Sequence, residues 1–430
     1  MLMRLTLVAR CLAVFFLPIV VFASPARAEP VVSLITFGPG GLTFEKFGHT
    51  ALRIRDDSTG LDIAYNWGLF DYENELELLT RFVNGRLEYW MEGFDGRGTV
   101  NAYAAGDRTV WEQELNLTPA QTLELMRFLM WNERPENRVY RYDYYRDNCT
   151  TRVRDAIDNA LGDQMAAQLK GVPTDSTYRS HTRRITARDI PLYTALQTVL
   201  SDWIDKPLDA WEETFLPFEL QRHVRSVMVT DAAGNRVPLV RSEVQIATGS
   251  RPMPAATVPT YWPGYLIVGV VVGTLMALLS KPARRYRTAG AMLFLLVLLW
   301  CGIGGMAGFI MAYAWAFTDH IASYGNENLL QTNPLLLALI PLTLFVLFGR
   351  FRKAASRLAV FIAALGVIGL VMQVLPVFDQ VNADVIALAL PINLGLAVAL
   401  YRLLPQWQPN AVQKNDPASL TVAAPAAARV

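Results

Sequence analysis

The chain has 430 residues, enough for one sizeable folded domain plus a membrane region. Its formal net charge of +1 offers neither the basic surplus of a nucleic-acid binder nor the acidic excess of a solvating or calcium-buffering tail. The hydrophobic share of 52% lies slightly above the globular average, and the apolar runs behind it cluster at the start and after Tyr261.

Residues 1–28 read as a signal peptide. Arg4 and Arg10 supply the basic start, Cys11 to Ala23 is an almost unbroken apolar run, and Ala26-Arg27-Ala28 fits a small-x-small cleavage site. The run is short for a membrane span, so an uncleaved anchor is the lesser alternative. Cys11 leaves with this segment. Cys301 falls within a later apolar span, so Cys149 is the single cysteine of the exported domain. An unpaired cysteine there is either buried and inert or a thiol kept for chemistry.

Residues 29–245 form that domain. Val31–Thr36 is a strand candidate, and His49–Arg55 alternates as a second. Asp56-Asp57-Ser58-Thr59-Gly60 is a turn into Leu61–Trp67, predicting a hairpin. Gly85–Met91 and Val110–Leu117 are further strands. Thr118-Pro119-Ala120-Gln121 opens a helix to about Asn132, with Thr118 as cap and Gln121 completing a capping box. A second helix starts near Cys149, where Val153, Ala156, Ile157, Ala160 and Leu161 share one face.

Residues 246–261 are rich in Pro, Thr and Ala and read as a linker. Five apolar runs follow, at about 262–280, 289–317, 332–349, 358–378 and 384–404, each near the length of a membrane span. Pro341 and Pro391 are expected to kink their helices. The loops after the first and third runs carry Lys281, Arg284, Arg285, Arg287 and Arg350, Arg352, Lys353, Arg357. The other loops carry Asp319, Glu327 and Asp379 without Lys or Arg. The positive-inside rule therefore puts the basic loops in the cytoplasm and the folded domain outside, where a signal peptide delivers it. Trp262, Tyr265, Tyr313 and Trp315 fall where an outer aromatic belt belongs. Residues 406–430 are expected to be a disordered cytoplasmic tail.

The densest chemical signal is Asp147-Asn148-Cys149-Thr150-Thr151-Arg152, a polar cap leading straight into a helix with a cysteine in its first turn. The unsatisfied N–H groups and partial positive charge of a helix N-terminus favour a thiolate, so a depressed Cys149 pKa is expected. A small buried cysteine is the competing reading. A thiolate nucleophile wants an imidazole beside it. His49 starts a strand after Phe47-Gly48; His181 and His223 lie in arginine-rich segments and are expected to be exposed. Arg152 and Asp155 are spaced for an ordinary helical ion pair.

Phe47-Gly48-His49-Thr50-Ala51-Leu52-Arg53, Tyr65-Asn66-Trp67-Gly68-Leu69-Phe70-Asp71 and Asn148-Cys149-Thr150-Thr151-Arg152-Val153-Arg154-Asp155 together resemble the Lnb N-terminal periplasmic domain family. The order is also similar to circularly permuted NlpC/P60 (papain-like) enzymes and to lecithin–retinol acyltransferase, where the His strand precedes an Asn-Cys helix. Phe215-Leu216-Pro217-Phe218-Glu219-Leu220 and His320…Asn326-Glu327-Asn328-Leu329-Leu330 add weaker similarity. The resemblance implies an α+β papain-like domain followed by an all-α transmembrane bundle of about five helices. It implies Cys149 as nucleophile and His49 as base, with Asn66 as the orienting third group and Asp62 and Tyr65 as rivals. Tyr65, Asn148 and Arg152, with His320, Asn326 and Asn328 of the outer loop, are the substrate-contact candidates. It further implies acyl transfer through a Cys149 thioester, from a membrane lipid to a lipoprotein amine, another amine or water. No cofactor or metal is expected, since four histidines lack motif spacing. A cell-wall peptidase of NlpC/P60 type and a non-catalytic envelope scaffold are the alternatives.

Overall fold

A computed structural model describes residues 29–71 and 75–404; the signal peptide expected over 1–28 and the tail over 406–430 lie outside the described residues. The chain falls into two units. One holds residues through Arg188 together with Lys206–Val258; the other holds Asp189–Asp205 and the chain from Pro259 onward.

The first unit is a mixed helix-and-sheet domain. Its main sheet has seven antiparallel strands: β1 (Val31–Phe37), β2 (His49–Asp56), β3 (Leu61–Leu69), β4 (Glu88–Asp95), β5 (Val110–Leu115), β6 (Val139–Arg141) and β7 (Val240–Ala247). Their order is β7-β5-β1-β2-β3-β4-β6. The predicted hairpin is β2–β3, with Ala51 opposite Asn66 and Arg53 opposite Ala64. Its turn closes because Gly60 takes φ +75 and Asp56 Oδ1 accepts from the Ser58 amide at 2.9 Å. The strand expected at Gly85–Met91 begins later, at Glu88. Gly85 instead takes φ +68 just after a helix, Glu75–Val83, that the sequence reading did not anticipate.

Period-two alternation sorts the sheet residues onto two cores. Leu34, Leu52, Ile54, Tyr65 and Trp67 point to one face; Ile35, Phe37, Ala51 and Val110 point to the other. Helix α1 (Gly96–Ala105) covers the second face with Val100 and Tyr103. Helices α2 (Pro119–Asn132) and α3 (Cys149–Leu161) cover the first with Leu125, Leu129, Val153, Ala156 and Ile157. Burying each large side chain in that layer contributes roughly 1.5–3 kcal/mol. The expected capping box of α2 is present, with the Gln121 amide donating to Thr118 Oγ1. Its far end is fixed by Trp67 Nε1–H donating to Asn132 Oδ1 at 3.1 Å.

Three sequence expectations change here. His181 and His223 are buried, not exposed, at 1% and 7% of their free surface. Glu213, brought in from distant sequence, accepts from both: 2.9 Å to His181 Nε2 and 2.8 Å to His223 Nε2. Arg152 does not pair with Asp155. It grips Asp147 with two bonds of 2.5 and 2.6 Å, because a carboxylate just ahead of a helix also gains from the N-terminal dipole. Asp155 binds Arg154 instead. The stretch expected to be a linker is tied down in its first half. Ser250 N–H and Oγ–H donate to the two Asp107 carboxylate oxygens, Gly249 N–H donates to Thr109 Oγ1, and Arg184 exchanges bonds with Ala255.

The second unit contains five segments long and apolar enough to cross a membrane: Trp262–Ala283, Arg287–Phe317, Ile321–Leu347, Arg352–Met372 and Ala383–Arg402. Two of them meet backbone to backbone. A Cβ on Gly273 would lie 2.2 Å from the Pro391 carbonyl oxygen, and one on Gly395 would lie 2.2 Å from that of Gly273. Small residues permit this approach where lipid gives no hydrophobic drive between helices. Asp189–Asp205, expected to belong to the exported domain, clusters with these segments. Its helix, Ile190–Val199, is held by polar bonds: Tyr193 Oη–H donates to Asp384 at 2.6 Å, and Asn328 Nδ2 donates to the Gln197 and Thr198 carbonyls.

Candidate active site

His49 stands at the start of β2 because Gly48 turns the chain with φ +83, where a side chain would press on the Phe37 carbonyl and Pro217. Two residues from Ala51, the imidazole shares the α1 face of the sheet. It lies beside the stacked Phe37–Tyr103 pair, whose centroids are 3.8 Å apart, at 5.8 Å from each ring and 3° from parallel with Tyr103.

The third residue is on the neighbouring strand. His49 Nε2 lies 3.1 Å from Asn66 Oδ1. The Asn66 Nδ2 donates to the Ala64 carbonyl at 3.0 Å, so the amide oxygen faces the ring and accepts from Nε2–H. That fixes the tautomer and leaves Nδ1 as the bare nitrogen, able to take a proton. Asn66 is 4% exposed, so little water competes for this bond. The rival Asp62 is engaged elsewhere, accepting two 2.7 Å bonds from Arg53. Tyr65 points to the opposite face, into the α2–α3 core.

Cys149 reaches the same end of the sheet from the other side. Asn148 caps α3, its Oδ1 accepting from the Thr150 and Thr151 amides at 2.8 and 3.0 Å, while its Nδ2 donates to the Tyr144 and Phe215 carbonyls. Such a cap is worth about 1 kcal/mol. It also engages the Thr150 and Thr151 amides, while the Cys149 N–H faces its own sulfur. The helix docks on β2 through Thr50 Oγ1–H, which donates to Thr150 Oγ1 at 3.3 Å. At the β3 bulge Gly68 takes φ +98, a conformation that favours glycine, and a Cβ there would meet that of Cys149 in ordinary contact at 3.5 Å.

The thiol bonds Thr150 Oγ1 at 3.8 Å and receives the backbone N–H of Thr50, the residue next to His49. Among the described residues no hydrogen bond joins the sulfur to the imidazole. The pKa expectation is corrected: burial pushes the Cys149 thiol up, outweighing the Thr150 hydroxyl and the Thr50, Thr150 and Cys149 amides that pull it down. His49 moves the opposite way, to about 4, through burial and the nearby Arg108 charge, opposed by its Asn66 bond. The pair therefore rests as neutral thiol and neutral imidazole.

Arg108 and Tyr103 border both groups, and the sequence reading missed them. The Arg108 guanidinium lies 4.7 Å from the Tyr103 ring centroid and interacts electrostatically with both His49 and Cys149. Burial raises the Tyr103 hydroxyl to about 12. Neither residue stands in a recognisable motif, so only the register of β5 and α1 reveals them.

The remaining candidates are placed differently. Asn148 is the cap just described, and Arg152 is engaged with Asp147 and the Tyr140 ring. Asn326 and Asn328 lie in the second unit, donating to carbonyls of the Ile190–Val199 helix; His320 donates its backbone N–H to Thr318. His181, Glu213 and Glu219 place ligand atoms within 4.8 Å of one another and have the chemistry of a metal site. Arg222 bonds both carboxylates and Arg184 approaches Glu219 at 3.7 Å, which already balances their charge.

Comparison with known proteins finds a family-model match over part of the chain. Residues 24–184 match the family model described as the Lnb N-terminal periplasmic domain. The Lnb-type match includes His49, Asn66, Arg108 and Cys149, and ends before Glu213 and the apolar segments. The five apolar segments suggest a membrane protein, and the domain's name suggests a periplasmic N-terminal side. No curated protein and no solved structure matches the chain.

Proposed function

We propose that the protein is a membrane-anchored periplasmic thiol acyltransferase, with Cys149 as nucleophile and His49 as base. The observation that carries this is the Asn66-oriented imidazole standing one residue from the Thr50 amide that touches the Cys149 sulfur. A neutral imidazole with a free Nδ1 beside a neutral thiol is the starting state for general-base catalysis. Oriented triads of this kind serve acyl transfer in papain-like enzymes, and the His-strand, Asn-Cys-helix order supports a circularly permuted form of that fold.

In the first half-reaction, Sγ attacks the ester carbonyl of a membrane lipid as His49 Nδ1 takes the thiol proton. The Cys149 N–H, which faces the resting sulfur, turns to donate to the developing oxyanion. Collapse breaks the ester C–O bond, His49 returns its proton to the leaving alkoxide, and the acyl group remains on sulfur as a thioester. In the second, an amine attacks the thioester, His49 accepts its proton, and the thiol is regenerated. A lipoprotein α-amino group is the acceptor favoured by the family resemblance; water in its place makes the enzyme a hydrolase. Five apolar segments favour a lipid donor over a cell-wall peptide, since they hold the domain where such a donor resides.

The test is intact-mass analysis of the full chain after incubation with phospholipid. An acyl adduct that maps to Cys149, is released by hydroxylamine and is missing from Cys149→Ala is expected. Absence of any such adduct with lipid overturns the reading, and an adduct formed only with cell-wall peptides turns it to the peptidase.

A further inference from the structure

The site contains buried arginine N–H atoms that its protein partners leave unmet. Arg108 is buried to 6% of its free surface. Its Nε–H donates to the Gly38 carbonyl at 2.7 Å, and Nη1 lies 3.7 Å from Glu45 Oε1, but Nη2 is buried with no hydrogen-bond partner in the protein. Arg251 repeats the pattern: its Nε is buried without a partner, while Nη1 and Nη2 lie 3.3 Å from where a Cβ on Gly41 would be. The two arginines are close enough to repel, and Glu45 is the carboxylate beside Arg108.

Glu45 faces Arg108 and Asp107 faces Arg251, yet the buried N–H atoms stay unmet, a costly arrangement unless an acceptor completes it. It is also a built one. The Asp107–Ser250 bonds pin the Arg251 backbone next to the Arg108 backbone, and Gly38 N–H donates to the Thr109 carbonyl at 2.7 Å. The Gly38-Pro39-Gly40-Gly41 loop adds no side-chain bulk at its glycines; at Gly41 a Cβ would press against the Arg251 guanidinium.

We propose that Arg108 and Arg251 hold the phosphate of a glycerophospholipid acyl donor while its ester is presented to Cys149. This rests on the acyl-transfer reading above and names its donor class. One guanidinium fork satisfies a planar carboxylate; two arginines from separate segments suit a tetrahedral phosphate, whose oxygens diverge. Arg108 interacts with both Cys149 and His49, so an anion seated on it lies at the reacting end of the sheet.

The experiment measures binding, without turnover, in the full chain carrying Cys149→Ala in detergent. Dihexanoylphosphatidylglycerol, dihexanoylglycerol and inorganic phosphate are titrated by calorimetry, with and without Arg108→Gln or Arg251→Gln. Loss of a charged hydrogen bond predicts about tenfold weaker phospholipid binding or more in Arg108→Gln, with dihexanoylglycerol affinity unchanged. If Arg108→Gln fails to melt cooperatively, Arg251→Gln decides by the same comparison. Unchanged phospholipid affinity, or an equal loss for the glycerol lipid, overturns the proposal. Phosphate bound as tightly as the phospholipid assigns the pocket to free phosphate and overturns the lipid donor. Because Cys149 is absent, failure here is separate from failure to form a thioester.

Discussion

Asn66 turns its amide oxygen to His49 because its amide nitrogen is committed to the Ala64 carbonyl two residues earlier on the same strand. One backbone acceptor thus decides which imidazole nitrogen is bare. Replacing Asn66 by Ala removes the constraint on ring and tautomer together. Acyl transfer is expected to fall mainly in kcat with KM little changed, as measured by thioester formation rate against lipid concentration. The His49→Ala loss should be larger, about 10²–10⁴-fold. A KM effect alone in Asn66→Ala would contradict the orienting role.

The pH profile follows from the sign of the His49 shift. Its folded pKa, about 4, lies below the ordinary 6.5, so the neutral ring persists well into mild acid. Activity should hold down to about pH 5 and fall as pH drops through about 4. Arg108→Gln removes a charge that lowers this pKa, so the acid limb should move upward. Linkage gives a companion effect: stability from burying the neutral ring is complete above 6.5 and is lost as pH falls toward 4. An acid limb at 6.5 in the native enzyme would refute the assignment.

The raised thiol makes its own prediction. With burial disfavouring the thiolate, alkylation of Cys149 by iodoacetamide should be slow at neutral pH and accelerate only above the ordinary thiol range. Rates are read by mass spectrometry of the Cys149 peptide. Rapid labelling at pH 6 would show that the helix N-terminus dominates after all.

Glu213 should matter more for stability than for chemistry. It is 2% exposed and accepts from His181 and His223, with Arg222 bonding the same Oε2 as His223. Glu213→Ala leaves these donors uncompensated and is expected to cost about 3–5 kcal/mol. Glu219→Ala should cost less, since its partners Arg222 and Arg184 retain solvent contact. Thermal unfolding in detergent, followed by tryptophan fluorescence, compares the two.

Topology is checked by cysteine substitution. Asp319→Cys should react with an impermeant maleimide in intact cells, and Arg285→Cys and Arg350→Cys only after permeabilisation, as the basic-loop rule requires.

Much of the site was legible because its signals are local. Asn148-Cys149 announces a capped helix, and alternation from His49 to Arg55 announces its strand. What escaped depends on contacts between distant segments. His181 and His223 look like surface residues until Glu213 arrives between them. Arg108 follows a turn in no motif, and acquires meaning only when β5 lies beside β1 and segment 249–251 folds back on it. Arg152 was assigned by helix spacing to Asp155, but the carboxylate ahead of the cap had the better geometry. Charge and periodicity describe neighbours in sequence; they do not say which distant carboxylate or carbonyl comes to meet a side chain.

The Asp189–Asp205 excursion bears on how the protein is made. Its helix finds the Asn326, Asn328 and Asp384 partners only after most of the apolar segments have been synthesised. A nascent chain emerging N-terminus first must carry this stretch unmet while the remainder is translated and inserted. Cleaving the chain once after residue 258 would release the first unit with that helix still attached and its anchoring residues gone. The two units are thus interleaved in sequence, and docking of the Ile190–Val199 helix waits in time on completion of the membrane segment.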